Sequence, residues 1–482
     1  MISRSRRRSS VPTRELRFRY GSSVPLRVAL AVLVLGLGGG VGLGAQAYDQ
    51  QALVEAALEQ NPAHQGARAE VERSREQLRG ARAERLPSLS VSAGLAYLFN
   101  PIEPVRVSSE EISDLTGVPA TGEAETITVF EGQEDTQYQF QANLEQPIYT
   151  WGKIDTGIRL AEVGTTAASL SVERSALQLQ TEVVSLFYSL HYLSRVREEL
   201  EKQEEAAERL VRISRESFES GAIVEADLLE ARVQAAEVGL AGTEVNAQIE
   251  QSLAQLRAAT SLNIDEVDDL SFNDLSDLSR SAEIPPIGTL LARAESKSAE
   301  LALLESQVQA AELQRDLADA GSYFKPDIGL QLQLQFAGPR FPFLERDWYR
   351  QDQPNNTVSI GLQTTVFDGG RIASDVATEE IDVGAARLDL ADARGQIERA
   401  VRETRSRVLL DRARVEQAEL REENARVQLD LRKREWDNGA GTETAYLRQL
   451  IDYHGKVAEK QQQMLQFHID YFQLLAATGQ AP

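Results

Sequence analysis

The sequence predicts an α+β fold in which short β-strands alternate with very long α-helices, and in which this arrangement occurs twice. Three observations lead to the prediction. The segment 144–154 (LEQPIYTWGKI) recurs as 362–372 (LQTTVFDGGRI), 218 positions further along. Four short segments alternate apolar and polar residues, as β-strands do. The stretches Lys153–Glu219 and Arg371–Asp437 each run for 67 residues without a proline, which is typical of a long helix.

The internal repeat divides the chain. Residues 144–261 align with residues 362–479 without a gap. An unbroken register indicates unbroken secondary structure, because loops gain and lose residues more readily than helices and strands. A weaker match, with a two-residue slip, joins 53–87 to 290–326. We therefore predict a first repeat at 48–261, an acidic connection at 262–288 and a second repeat at 289–482.

The four candidate strands have one apolar face and one face of mostly Ser, Gly, Gln, Asn and Thr. The apolar positions are Leu89, Val91, Ala93, Leu95, Tyr97 and Phe99; Tyr138, Phe140, Ala142, Leu144 and Ile148; Ile328, Leu330, Leu332, Leu334 and Phe336; Val358, Ile360, Leu362 and Val366. This alternation is typical of membrane-barrel strands, and a half-buried soluble sheet shows it too. The helices beside the strands favour the barrel.

The long helices predict coiled-coil packing. At ~1.5 Å per residue each reaches roughly 100 Å, which no compact domain buries. Val401, Val408 and Val415 lie seven residues apart, as in a heptad repeat. Each long helix is predicted to end near a glycine, Gly221 or Gly439. A second, antiparallel helix is predicted to follow over 226–259 or 444–477.

The N-terminal segment 1–47 is predicted to be a signal peptide. It holds eight arginines, then an apolar stretch at 28–43, and it ends in the cleavage-type motif Ala45-Gln46-Ala47. The alternative is an uncleaved anchor helix. No later apolar run approaches the ~20 residues of a membrane helix, so entry into a membrane requires a barrel.

Composition excludes several function classes. The chain has 51 basic and 74 acidic residues, a formal net charge of −23. Such a chain is a poor binder of nucleic acid, because phosphate backbones are gripped by Lys and Arg. The absence of cysteine excludes disulfides and thiolate metal sites. The four histidines are scattered, and no catalytic motif is present. We therefore expect neither an enzyme nor a cofactor or metal site.

Several ordered motifs carry a family resemblance. They are 53–62 (LVEAALEQNP), 85–88 (RLPS), 146–149 (QPIY), 217–221 (SFESG), 227–231 (DLLEA) and 366–371 (VFDGGR). Together they span roughly residues 49–480. The chain resembles the TolC-like outer-membrane efflux and secretion channels, also called outer membrane factors.

The resemblance implies a homotrimer in which each chain gives four strands to a twelve-stranded barrel in the outer membrane lipid. The helices would form a coiled-coil tunnel across the periplasm, closed at its tip, where a periplasmic adaptor and an inner-membrane pump dock. Function would be passive export, in an efflux pump or in type I secretion. The alternative from another class is a periplasmic coiled-coil structural or adaptor protein, which leaves the strands unexplained.

The helical turns are the expected adaptor-docking sites. By the resemblance, adaptor hairpins dock at Gly221, Ala222 and Ile223 of the first turn. In the second turn the corresponding residues are Gly439, Ala440 and Gly441. The alternative is that these glycines only end helices.

The family's periplasmic gate is expected to be altered here. Asp227 matches an Asp that bonds to a Tyr and an Arg in the best-known member. Trp436 and Gly441 stand at the Tyr and Arg positions, so that lock cannot form. Ala445 and Arg448 replace the family's pore-facing Asp pair.

The remaining gate hypothesis is an ion pair at the tip. Asp227, Glu225 or Glu443 would pair with Arg448 or a neighbouring arginine. An ordinary solvated helix surface is the alternative, since exposed pairs contribute only ~0–1 kcal/mol. At the other end, the loop 100–134 carries eight acidic residues, which either give the mouth a cation preference or are simply solvated.

Overall fold

A computed structural model describes residues 47–108, 111, 117, 126–130, 132–272, 277–322, 324–346 and 354–482. The predicted signal peptide therefore lies outside the described residues, except for its last residue, Ala47. Trp348 and Tyr349, between the third and the fourth predicted strand, also lie outside them.

Nine helices and six strands are formed by the described residues. The helices are α1 (Gln50–Gln60), α2 (Pro62–Ala83), α3 (Lys153–Glu219), α4 (Glu225–Thr260), α5 (Leu278–Ser281), α6 (Ile287–Lys297), α7 (Ala299–Ala320), α8 (Arg371–Asp437) and α9 (Glu443–Ala477). The strands are β1 (Ser88–Tyr97), β2 (Val105–Ser108), β3 (Thr126–Phe130), β4 (Thr136–Tyr149), β5 (Asp327–Gly338) and β6 (Asn355–Gln363).

The four predicted strands form one antiparallel sheet in the order β1-β4-β5-β6. Its register confirms the predicted faces, since Leu144 stands opposite both Leu89 and Leu332. Two residues placed in strands by their period fall outside them. Phe99 follows the end of β1, and Val366 follows the end of β6. The hairpin of β2 and β3 lies in the acidic loop and was not predicted.

The long helices agree with prediction. Both α3 and α8 span the expected 67 residues, and the returning helices α4 and α9 begin and end within one residue of the expected positions. Each long helix begins after a glycine with left-handed φ, Gly152 or Gly370, a conformation that glycine adopts without steric cost. No helix of the described part combines the length and apolarity needed to cross a membrane.

The four long helices pack side by side. Helix α3 packs against α4 and α9, and α9 also packs against α8. The predicted heptad positions Val401, Val408 and Val415 are buried where α8 meets α9 and α6. On α3, Val183, Leu190 and several neighbours form the largest core cluster, with residues of α1 and α4. Helices α4 and α8 are therefore the two outer members of the row.

The connection 262–288 is better anchored than its composition indicates. Its Leu270 forms a parallel bridge with Tyr48, which precedes α1. Helix α5 forms inside it, and α6 already begins at Ile287. His468 of α9 donates from Nδ1 to the Met464 carbonyl at 2.7 Å, and its Nε2 accepts from the Leu278 N–H at 3.3 Å. A fully buried histidine thus ties the start of α5 to α9.

Candidate functional site

The first helical turn is closed by its backbone. Gly221 has a φ of +77°. The Ala222 N–H donates to the Ser217 carbonyl at 2.8 Å, and the Gly221 N–H donates to the Phe218 carbonyl at 2.9 Å. This pattern is a Schellman motif, which satisfies the last carbonyls of a helix and requires a left-handed residue. The glycine is therefore needed to end α3, whatever else the turn does.

The second turn repeats that geometry. Gly439 has a φ of +69°. The Ala440 N–H donates to the Glu435 carbonyl at 2.8 Å, and the Gly439 N–H donates to the Trp436 carbonyl at 2.9 Å. Gly441 lies close to the last turn of α8, where a Cβ added to it would be 3.1 Å from the Cβ of Glu435. The second turn therefore needs two glycines for different reasons. Gly439 adopts the left-handed φ, and Gly441 leaves room for the side chain of Glu435.

Both turns present small residues to solvent. Gly221 and Ala222 are exposed, and Ile223 is partly buried. Gly439 and Ala440 are likewise exposed. A partner helix can approach such a surface closely, because no large side chain covers the backbone. Docking of an adaptor at these turns remains a prediction.

The predicted ion pairs with Arg448 are not formed by the described residues. Arg448 is exposed on α9, and Glu225 is exposed at the start of α4. The Asp227 carboxylate accepts from the Val224 N–H at 3.4 Å and so caps its own helix. Asp227 therefore has a local role in the turn.

Glu443 is bound to a residue that the sequence did not point to. It forms an ion pair with Arg209 of α3. Glu443 occupies the first turn of α9, where a negative charge is favoured by the helix dipole. The pair links α3 to the start of α9. Arg209 was missed because it precedes Glu443 by 234 positions and no local pattern marks it.

Trp436 makes a ring contact across the second turn. Its indole stacks on Tyr446 of α9, with the ring centroids 5.1 Å apart and an interplanar angle of 14°. The contact joins the last turn of α8 to the first turns of α9. Trp436 cannot supply a hydroxyl to Asp227 of α4, and its ring contact joins α8 to α9 instead.

Polar contacts continue along both sides of α9. Towards α3, Gln203 Nε2 donates to the Ile451 carbonyl at 2.9 Å, and His454 Nδ1 lies 2.7 Å from Glu199 Oε2. Burial raises the pKa of Glu199, but hydrogen bonds from Lys202 and His454 outweigh it, so the pKa is lowered from its usual value. These contacts hold α9 against α3.

Ion pairs also hold α9 against α8. Arg421 Nη1 lies 2.5 Å from Glu459 Oε1, and Lys460 Nζ lies 2.5 Å from Glu422 Oε2. Hydrogen bonds from Lys456 and Arg421 lower the pKa of Glu459 despite its partial burial. Polar contacts therefore bind α9 on one side to α3 and on the other to α8.

The open edges of the chain carry apolar residues. On α4 the side chains of Leu229, Val233 and Leu240 are exposed. On α8, Leu388 and Leu420 are about 70% exposed. Edge strands β1 and β6 each pair on one side only. Large exposed apolar patches mark interaction sites, so both edges are candidate contact surfaces.

Much of the apolar face of the sheet is also exposed, although Phe336 of β5 is buried. Exposed side chains on it include Leu89 and Leu95 of β1 and Val358, Ile360 and Leu362 of β6. Polar residues, mostly glutamine, asparagine, serine and threonine, occupy the opposite face. The sheet is therefore apolar on one face and polar on the other, and its edge strands β1 and β6 are exposed on both faces. In the part of the chain that the structure describes, no group of three or more acidic or histidine side chains could hold a metal ion.

The chain is similar to known proteins along most of its length. The outer membrane efflux protein family matches residues 53–261 and 290–480. No curated protein matches the chain. Among solved structures, the Campylobacter jejuni CmeC outer membrane channel is similar over 89% of this chain and 85% of its own, at 18% identity and a TM-score of 0.68.

Two further channels have the same fold. The Vibrio cholerae outer membrane protein VceC is 17% identical, with a TM-score of 0.68, and the match covers 90% of this chain and 96% of VceC. The Neisseria gonorrhoeae MtrE outer membrane channel, in an open state, is 14% identical, with a TM-score of 0.66, over 90% of this chain and 89% of MtrE. The family match covers most of this chain, and the helices and the sheet agree with it. This chain therefore belongs to the outer membrane efflux protein family.

Proposed function

We propose that three copies of the chain assemble into a channel of the outer membrane that passively conducts solutes or proteins out of the cell. Each copy would give its four-stranded sheet to a twelve-stranded barrel, and the row of α3, α4, α8 and α9 would form a third of a periplasmic duct. The channel would serve a tripartite efflux pump or a type I secretion system.

The observation that carries this proposal is the pair of open edges. Within lipid, an unpaired strand edge leaves N–H and C=O groups without partners, at a cost of several kcal/mol for each group. Strands β1 and β6 are such edges. Joining β6 of one copy to β1 of the next removes them, and the same step covers the apolar residues of α4 and α8.

The partners follow from the position of the tip. An adaptor protein of the periplasm would dock at the turns of Gly221 and Gly439, and an inner-membrane pump would deliver the cargo. The Arg209–Glu443 ion pair supports a closed resting tip, because it joins the two repeats where the helices reverse. Opening would separate or reorient these helix ends.

Two measurements on the full-length protein test the proposal. Purification from outer membranes in mild detergent, followed by light scattering corrected for detergent, should give the mass of three chains. Insertion into planar lipid bilayers should give discrete conductance steps. A mature protein that stays soluble and monomeric without detergent, and that conducts nothing, would contradict the proposal and favour the periplasmic coiled-coil alternative.

A further inference from the structure

The polar face of the sheet is nearly free of charge. From Gln137 to Glu145 on β4, and across the other three strands, the residues on this face are Ser, Gln, Asn, Thr, Gly or Ala, apart from two acids. The two acids are Glu145 of β4 and Asp327 of β5. A passage lined by this face would be water-filled and neutral, with its field set by those two carboxylates.

Only one of the two acids keeps its charge unpaired. Lys153 Nζ lies 2.6 Å from Asp327 Oδ2 and neutralises it. The arginine that precedes β1, Arg85, is bound to Asp155. Glu145 is exposed and stands opposite Ser88 on β1 and Gln331 on β5. It forms no ion pair with any residue that the structure describes, so a full negative charge remains on the polar face.

The position of Glu145 gives that charge its effect. It lies near the end of β4 that leads into α3, at the junction of the sheet and the long helices. In a closed trimer, three copies would stand at one level around the passage. We propose that Glu145 makes this junction selective, so that the channel passes cationic solutes in preference to anionic ones. The inference rests on the proposed channel function.

Ionic strength controls how far such a charge reaches. The Debye length is ~30 Å at 0.01 M and ~10 Å at 0.1 M salt. At low salt a few carboxylates therefore set the potential across the whole junction, whereas at high salt they act only nearby. Selectivity caused by Glu145 must consequently fall as salt rises.

The test is the reversal potential of single channels in planar bilayers under a KCl gradient. Glu145→Gln keeps the size of the side chain and removes its charge. Its cation-to-anion permeability ratio should fall about twofold or more at the low-salt end, where screening is weak. Gln333→Glu, which adds a carboxylate on the same face of β5, should raise the ratio. Glu134→Gln, in the acidic loop before β4, is the matched control and should leave the ratio unchanged.

The outcomes separate this inference from the channel function. Channels of normal conductance whose ratio is unaffected by Glu145→Gln and by Gln333→Glu would overturn the role of Glu145. A lowered ratio in Glu134→Gln alone would place the selectivity in the acidic loop and would also overturn it. Wild-type protein that forms no channel would contradict the proposed function itself, and the selectivity with it.

Discussion

The carboxyl group of Asp411 on α8 lies against that of Asp470 on α9, and both side chains are almost completely buried. Arg414 Nη1 lies 3.0 Å from Asp411 Oδ1, and Arg407 Nε lies 3.3 Å from Asp470 Oδ1. Burial and the neighbouring Asp470 together raise the pKa of Asp411 to about 6, against the opposing effect of Arg414. The α8–α9 interface therefore contains a carboxyl pair that retains a proton under mildly acidic conditions.

This carboxyl pair should make stability depend on pH. Because the pKa of Asp411 is raised on folding, its contribution is fully present below the unfolded value of ~3.9 and is lost as the pH rises through about 6. We expect Asp411→Asn to remove this loss, on the order of 1–2 kcal/mol for a coupled pair. Apparent Tm by circular dichroism in detergent, measured from pH 4 to pH 8, checks it.

The control for that experiment is Asp389→Asn, an exposed aspartate on the same helix, which should retain the pH dependence of the wild type. If Asp411→Asn and the wild type lose stability in parallel between pH 4 and pH 7, the carboxyl pair does not hold the proton.

The Arg209–Glu443 ion pair should bias the tip towards closure. Both side chains are partly exposed, so the pair contributes ~1 kcal/mol or less, which is about a fivefold change in the opening equilibrium at most. Arg209→Gln or Glu443→Gln should raise the fraction of time that single channels spend open. Exchanging the two charges, in Arg209→Glu with Glu443→Arg, should restore the wild-type behaviour.

Arg448→Gln serves as the matched control for the ion pair. Arg448 lies on the same helix as Glu443 but is exposed and pairs with none of the predicted acids. Altered gating in Arg448→Gln, with normal gating in the Arg209 and Glu443 variants, would contradict the role of the Arg209–Glu443 pair. It would favour the ion pair with Arg448 that the sequence predicts.

A bulky charge at the helical turns should interfere with docking. Ala222 and Ala440 are exposed, and the backbone N–H of each donates to the helix before its turn. Ala222→Arg combined with Ala440→Arg should therefore leave the trimer and its conductance intact, while export by cells falls several-fold. Ala69→Arg, an exposed alanine on α2, should export normally. Full export by the doubly substituted turns would exclude them as the docking surface.

A charge on the exposed edge of α8 should prevent assembly. Leu388 is 72% exposed, and covering it on assembly would stabilise the oligomer by about 1.5–3 kcal/mol. We expect Leu388→Glu to yield folded monomers by light scattering, with unchanged helix content, whereas Leu388→Met should give wild-type trimers. Trimers of normal stability in Leu388→Glu would place the contact between copies elsewhere.

The helices and most of the sheet could be predicted from local sequence patterns. Proline is absent from α3 and α8, and glycines stand where each begins and ends, so local chemistry sets both boundaries. The period of two placed each strand residue on its face, because side chains of a strand alternate regardless of the neighbouring strand. The period of two does not show where a strand ends. Phe99 and Val366 fit the period, although they lie beyond the last hydrogen-bonded residues of β1 and β6.

The contacts between distant residues depend on how the helices pack and could not be predicted from local patterns. Arg209 and Glu443 have no shared motif, and they are joined because α9 packs beside α3. Asp411 and Asp470 look like ordinary charges of helical surfaces, and their burial depends on how α8 faces α9. Period and propensity act within one segment of the chain. The side on which one long helix lies against another is fixed by packing over many residues at once, and the charged contacts follow from that packing.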